Sequence, residues 1–350
     1  MKQLLLHIII LLPILTYGQD IHFSQTTRSN YQINPAFIGC FNGNIKAEMN
    51  WKDQWQGVDK SFRTFGTSFE YSFGKRGYKP APVFFALGAY VFKDVSGDVQ
   101  LGNTSVGGSF STLIKINRTS RFVLGLQGNY SSMGINPAEM EWGGQYSGLN
   151  YDPSLNNGEG IEFSPFNYSD LSFGLAYWYH KKNRSFYARS PKQAKIGFSA
   201  FHLNRPTYAF GSMESRLPIR FVLHFDALFG LHENLSIYPN LNIMYQNKQH
   251  EILFGTMWKH NIRQSTNHTG LKKEWSVSAG ADLRITNVLD AIIPQLFIGI
   301  EDFSIGLSYD INVSKLHQAS NYRGGLEFSI QFINSDGFYH RNPFKPSASI

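Results

Sequence analysis

The sequence predicts an all-β fold, a single transmembrane antiparallel β-barrel of about fourteen strands. Three observations carry this. Apolar and aromatic residues alternate with polar ones over most of residues 44–333, the mark of half-buried strands. Aromatic residues make up 15% of the chain and charged ones only 16%, where a soluble domain carries about a quarter. Mean hydropathy is −0.26, too polar for a helical membrane protein. It suits strands that turn one face to lipid and the other inward.

Residues 1–18 read as a secretory signal peptide. Lys2 supplies the positive start, Leu4 to Leu15 the apolar run, and Thr16-Tyr17-Gly18 a small-residue end, which puts cleavage near Gly18, before Gln19. The run is too short for a spanning helix, and no later stretch is long and apolar enough to be one. The residue directly after the cleavage point is Gln19 and not Cys, which argues against lipoprotein processing. Residues 19–43 are expected to form an N-terminal segment, periplasmic or plug-like.

The barrel is expected over residues 44–333. Ile45, Ala47, Met49 and Trp51 alternate with Lys46, Glu48 and Asn50. Phe65, Thr67, Phe69, Tyr71 and Phe73 follow the same rule, as do Phe122 to Tyr130, Leu171 to Tyr179 and Ile219 to Phe229. The last clear runs are Trp275 to Ile285 and Gly324 to Phe332. Several reach about ten residues or more, enough to cross a bilayer at a tilt. The sheet must close, because an open edge in hydrocarbon leaves backbone polar groups unsatisfied. Tight polar turns are expected at Asn117–Ser120, His232–Asn234, Asn247–Gln249 and Glu301-Asp302, and a long loop over 134–166. Trp51, Tyr71, Tyr130, Tyr179, Phe229, Tyr245, Trp258, Trp275 and Tyr309 stand near predicted strand ends, where interfacial girdles sit. The tail covers residues 334–350.

Chemistry-bearing motifs are sparse. The net charge of +7 contains no basic block, and the densest runs, Lys181-Lys182-Asn183-Arg184 and Lys272-Lys273, fall between apolar segments. No nucleic-acid partner is expected. The single cysteine, Cys40, allows neither an internal disulfide nor a zinc site. There is no G-x-S-x-G, Walker A, G-x-G-x-x-G or H-E-x-x-H pattern. No catalytic residue, cofactor or metal is assigned, and the chain is read as no enzyme. Ser199, His202 and His224 lie on neighbouring predicted strands, and the histidines are read as solvated wall residues. The loop stretch Asp152 to Glu159 carries oxygen ligands without the twelve-residue calcium-loop spacing, and is read as a solvated acidic surface.

The most specific feature is N-terminal. It comprises Phe23-Ser24-Gln25, then Asn34-Pro35-Ala36-Phe37-Ile38-Gly39, then Gln54-Trp55. Asn-Pro initiates a turn with extended backbone at the Asn, and Gly39 can turn the chain at positive φ. This arrangement resembles the PorP/SprF family, outer-membrane proteins associated with the type IX secretion system and gliding motility of Bacteroidetes. The matching positions are Phe23, Ser24, Gln25, Asn34, Pro35, Ala36, Phe37, Gly39, Gln54 and Trp55. Ile38-Gly39-Cys40 departs from the pattern, in which a small residue precedes the Gly and Ser or Thr follows it.

The resemblance implies a non-enzymatic barrel in outer-membrane lipid. Its partners would be type IX secretion components and a secreted cargo protein with a C-terminal sorting domain, often an adhesin. External loops would grip the cargo, while the N-terminal segment and the tail would face periplasmic machinery. The alternative is a channel of the fatty-acid-transporter type, with residues 19–43 as part of a lumenal plug.

Overall fold

The computed structural model describes residues 20, 22–54, 62–74, 81–97, 100–135, 142–147, 150–152, 154–156, 165–181, 192–210, 213–263, 275–314, 320 and 322–334. The predicted signal peptide and its cleavage point, Trp55, the basic residues 182–184 and 272–273, and the tail beyond Asn334 lie outside the described residues.

The barrel strands are β1 (Ile45–Gln54), β2 (Phe62–Phe73), β3 (Val83–Ser96), β4 (Leu101–Lys115), β5 (Ser120–Gly134), β8 (Phe166–Lys181), β9 (Lys192–Phe201), β12 (Arg220–Gly230), β13 (Leu235–Gln246), β14 (Gln249–Arg263), β15 (Trp275–Ile285), β16 (Leu289–Ile300), β17 (Phe303–Asn312) and β18 (Arg323–Asn334). Each pairs antiparallel with its chain neighbour, and β1 closes on β18 from Ile45–Asn334 to Gln54–Gly325. The expected fourteen-stranded closed barrel is what the chain forms. Two small hairpins were not anticipated: β6 (Tyr146–Ser147) with β7 (Asn150–Tyr151), and β10 (Thr207–Phe210) with β11 (Met213–Arg216).

An even strand number brings the start of β1 and the end of β18 to one rim, here the terminal end. The two longest connections, 135–165 and 202–219, both open at the opposite rim, the loop end, and carry the two hairpins. Turn chemistry follows the expected rules. Asn247 and Lys248 join β13 to β14 with φ of 45° and 69°, the doubly positive turn that matches strand twist.

The two faces of the sheet are reversed relative to a soluble protein. Phe69, Leu87, Phe110, Leu126, Leu171 and Leu307 point outward and remain 42–59% exposed. On alternate positions Lys46, Glu48, Asn50, Lys52, Glu70, Asp282, Asp310 and Glu327 are buried inside. Only lipid on the outside makes that distribution favourable.

Candidate functional site

The barrel interior is occupied by the N-terminal segment, which forms a strap. Its described part runs from Asp20 at the loop end and descends through short turns, Thr26–Arg28, Asn30–Ile33 and Pro35–Phe37. It reaches the terminal end at residues 39–43, where β1 begins. The predicted motif residues divide along it into two differently held stretches.

Phe23-Ser24-Gln25 sits in a knot of charge. The backbone N–H groups of Ser24 and Gln25 donate to the two carboxylate oxygens of Glu327, at 2.7 and 2.9 Å. The Ser24 hydroxyl donates to Asp310 (3.0 Å) and accepts from Arg284 (2.6 Å) and Lys52 (3.0 Å). Arg284 in turn grips Asp310 at 2.8 Å. The Gln25 amide is saturated: it donates to Ser308 and the Glu327 carbonyl and accepts from Ser329. Strands β1, β15, β17 and β18 thus converge on two strap residues. Charge-assisted bonds of this kind are stronger than neutral ones, and each charge here has a partner, as burial requires. Phe23 is fully buried, edge-on to Phe92 and against Gly66, where a Cβ would come within 3.0 Å of its ring.

Asn34-Pro35-Ala36 sits instead in a glycine cradle. Asn34 is extended (φ −162°, ψ 120°), as a residue before proline should be. Its side-chain oxygen accepts from the Ala36 N–H at 2.8 Å, capping the turn that Pro35 begins. Its amide then donates to the backbone carbonyls of Leu175 on β8 and Phe198 on β9, at 3.1 and 3.2 Å. So close an approach to a sheet needs wall residues without side chains. A Cβ on Gly174 would lie 2.0 Å from the Asn34 oxygen, on Gly197 2.5 Å from its nitrogen, and on Gly125 2.3 Å from the Ala36 nitrogen. Ile33, Phe37 and Ile38 complete an apolar cluster with Leu113, Val123, Ala176 and Val222. Each such side chain contributes about 1.5–3 kcal/mol on burial. Gly39 turns the strap at φ +83° and donates its N–H to Glu70 at 2.8 Å, and that carboxylate also holds Lys46 at 2.6 Å.

Gln54 stands apart at the loop end of β1, opposite Gly325, away from the strap's polar ties. Trp55 lies outside the described residues. Ser199 and His224 do not form a nucleophile–base pair. Ser199 donates to the Ile33 carbonyl at 2.6 Å, and His224 contacts Asp226 at 3.0 Å. The two histidines are buried rather than solvated, contrary to the sequence reading, because the strap fills the lumen that water would otherwise enter.

His202 anchors the strap's first described residue. Its Nε2 lies 2.6 Å from Asp20 and its Nδ1 2.9 Å from Asp170, while Arg220 approaches Asp20 at 3.5 Å. Burial works against charge on His202, but the two carboxylates outweigh it and raise its pKa to about 9. Burial alone would raise the Asp20 carboxyl; His202 and Arg220 hold it well below the usual range. Among the described residues no group of three or more His, Cys, Asp or Glu could hold a metal ion. In the acidic loop, Asp152 accepts from Ser154 at 2.6 and 2.9 Å.

The strap's wall partners, Glu327, Asp310, Arg284, Lys52, Glu70 and the cradle glycines, were not singled out from sequence. A signal existed. In a chain so poor in charge, many ionisable residues fall on the polar alternation of predicted strands, where they face one another rather than bulk water.

No curated protein matches the chain. Among solved structures, it resembles the toluene transporter TbuX of Ralstonia pickettii (8% identity, 87% of this chain and 91% of that one, TM-score 0.46). It also resembles a FadL homologue of Pseudomonas aeruginosa (11%, 88% and 94%, TM-score 0.45) and the translocator domain of the autotransporter NalP from Neisseria meningitidis (6%, 88% and 96%, TM-score 0.44). The family model described as type IX secretion system membrane protein PorP/SprF matches residues 15–332. With a closed lipid-facing barrel carrying that match over nearly its whole length, the chain belongs to the PorP/SprF family of type IX secretion membrane proteins and resides in the outer membrane.

Proposed function

We propose that this barrel is a dedicated partner for a secreted cargo protein, helping to export it or to hold it at the cell surface. The cargo would be an adhesin-like protein with a C-terminal sorting domain, and gliding motility one setting for it. The supporting observation is the strap. A lumen crossed by a segment tied to β1, β2, β5, β8, β9, β15, β17 and β18 leaves little room for a polypeptide or for bulk solute flow. A filled barrel serves better as a platform than as a conduit. The termini lie at the periplasmic rim in this reading, which places the long connections and both hairpins outside, the usual asymmetry. They form the cargo-facing surface. The strap, which begins near that surface and ends at the other rim, links the two sides of the membrane.

The test compares surface and secreted proteomes of wild-type and deletion cells. Loss of one or a few large proteins sharing a C-terminal domain is expected; an unchanged surface proteome would defeat the proposal. The transport reading has one observation in its favour, a cavity of about 400 Å³ at the terminal end lined by Arg28, Lys46, Lys195, Asp226 and Gln331. Steady substrate-dependent conductance of the purified wild-type barrel in planar bilayers would promote it.

A further inference from the structure

A second cavity, of about 240 Å³, opens at the loop end. Its wall is built from β3, β4, β5, β8 and the start of β12, with the strap as its floor. Asp94, Asp170, Asn129, Tyr168, Arg220 and His202 line it. Asp94 and Asp170 are 2% and 4% exposed, so their charges are held away from water.

Two features define what this cavity accepts. The first is charge. Three carboxylates, those of Asp20, Asp94 and Asp170, face two cations. Arg220 is one; His202, whose two ring nitrogens lie 2.6 and 2.9 Å from the Asp20 and Asp170 carboxylate oxygens, is the other. The next cation, Lys52, lies in register with Asp94 across Thr64 but makes no ion pair with it, its ammonium being engaged with Asp310 and Ser24 in the knot. One negative charge is left over. The second feature is the polarity of the unmet groups. Asp170 spends Oδ2 on His202, and its Oδ1 has no partner. Asn129 spends its amide nitrogen on Ser131, and its Oδ1 also has none. Both atoms are pure acceptors. Of the other unmet atoms in the lining, His202 Nδ1 already faces Asp170 at 2.9 Å, Arg220 Nε belongs to a guanidinium beside Asp20, and the Tyr31 hydroxyl can donate or accept. A buried site with surplus negative charge and free acceptors selects a cation rich in N–H donors.

We propose that the loop-end cavity is a receptor for one arginine or lysine side chain of a partner polypeptide. The volume suits a single long side chain, being below the roughly 300–1,000 Å³ of small-molecule pockets. An arginine head brings five donors in a planar fork, and its aliphatic stem can pack on Tyr168 and Leu217 in the lining. The assignment rests on the reading that the loop end faces the cargo. A guest here touches Asp170 and therefore the His202–Asp20 tie, so its arrival is felt by the first described residue of the strap.

The test is calorimetric titration of the full-length barrel in micelles with an N-acetylated, C-amidated Gly-Arg-Gly peptide. The same peptide carrying citrulline, spermidine and calcium chloride are the comparison probes. Saturable binding of the arginine peptide is expected, with the citrulline peptide at least about tenfold weaker. Asp170→Asn and Asp94→Asn should each weaken it about tenfold; Asp94 takes no part in the His202 tie, so it stays informative if Asp170→Asn misfolds. Native-like gel mobility of unboiled samples checks folding. Equal binding of citrulline, or affinity unchanged in both variants, overturns the proposal. So does tighter binding of spermidine, which would mean a free polyamine, or displacement by calcium, which would mean a metal. An unchanged surface proteome would remove the cargo reading while leaving this binding result to stand.

Discussion

The two halves of the strap are held to the same barrel by opposite physics. Around Phe23-Ser24-Gln25 the ties are hydrogen bonds and ion pairs from Glu327, Asp310, Arg284 and Lys52. Around Asn34 to Ile38 they are apolar burial and close backbone contact against three wall glycines. Polar ties can be exchanged for water or for another polar segment at modest net cost, provided all partners are met. A cluster of buried Ile and Phe side chains offers no such exchange. The loop-end half is therefore held mainly by polar ties, with Phe23 as its apolar anchor, and the glycine-cradled half mainly by packing, with Asn30–Ile33 between them.

The comparison can be broken most directly at Glu327. Glu327→Ala removes the acceptor of the buried Ser24 and Gln25 N–H groups and takes one carboxylate from the neighbourhood of Lys52. A loss of about 3–5 kcal/mol is expected. It should show in hydrogen exchange as deprotection of residues 22–26 with residues 34–39 still protected. Deprotection of both halves together would mean that the strap is a single cooperative unit.

Gly174→Val probes the other half. The added carbons meet the Asn34 side chain on a sheet that cannot retreat, at a cost of about 3 kcal/mol. Limited proteolysis should then cut the strap between residues 30 and 43, sites silent in the wild type. Asn34→Ala is milder, at about 2 kcal/mol, since it loses the cap and two bonds to carbonyls without a clash. Denaturant unfolding in micelles would read it.

A further effect concerns pH. The folded pKa of His202 is raised from 6.5 to about 9. Its contribution is then complete below about pH 6.5 and is lost as pH rises through 9. Exchange at residues 22–24 should accelerate between pH 7 and 10 beyond the chemical rate. His202→Gln should flatten that excess; a wild-type profile in the variant would mean that His202 does not hold this end of the strap.

Much of the fold was legible because lipid imposes a simple rule. Trp51 against Lys52, or Phe69 against Glu70, can alternate in a barrel of this kind only if one face meets hydrocarbon. The motif at Asn34-Pro35 was legible as a turn, since proline constrains its neighbour whatever lies around it. The small hairpins of the two long connections were not, because strands of two to four residues leave no periodicity to read.

The sequence by itself determined that the chain closes into a barrel of about fourteen strands, and which face of each strand looks inward. Period two, turn residues and the need to satisfy every backbone group in a membrane act locally and suffice for that. Only the tertiary structure decided what the lumen holds. Ser24 meets Asp310 across 286 positions of sequence, and Asn34 meets Phe198 across 164. A glycine in β5, β8 or β9 looks like any other strand glycine until the segment that needs its missing side chain is laid against it. Such pairings depend on closure bringing distant strands around one strap, and no local propensity encodes which partners closure will supply.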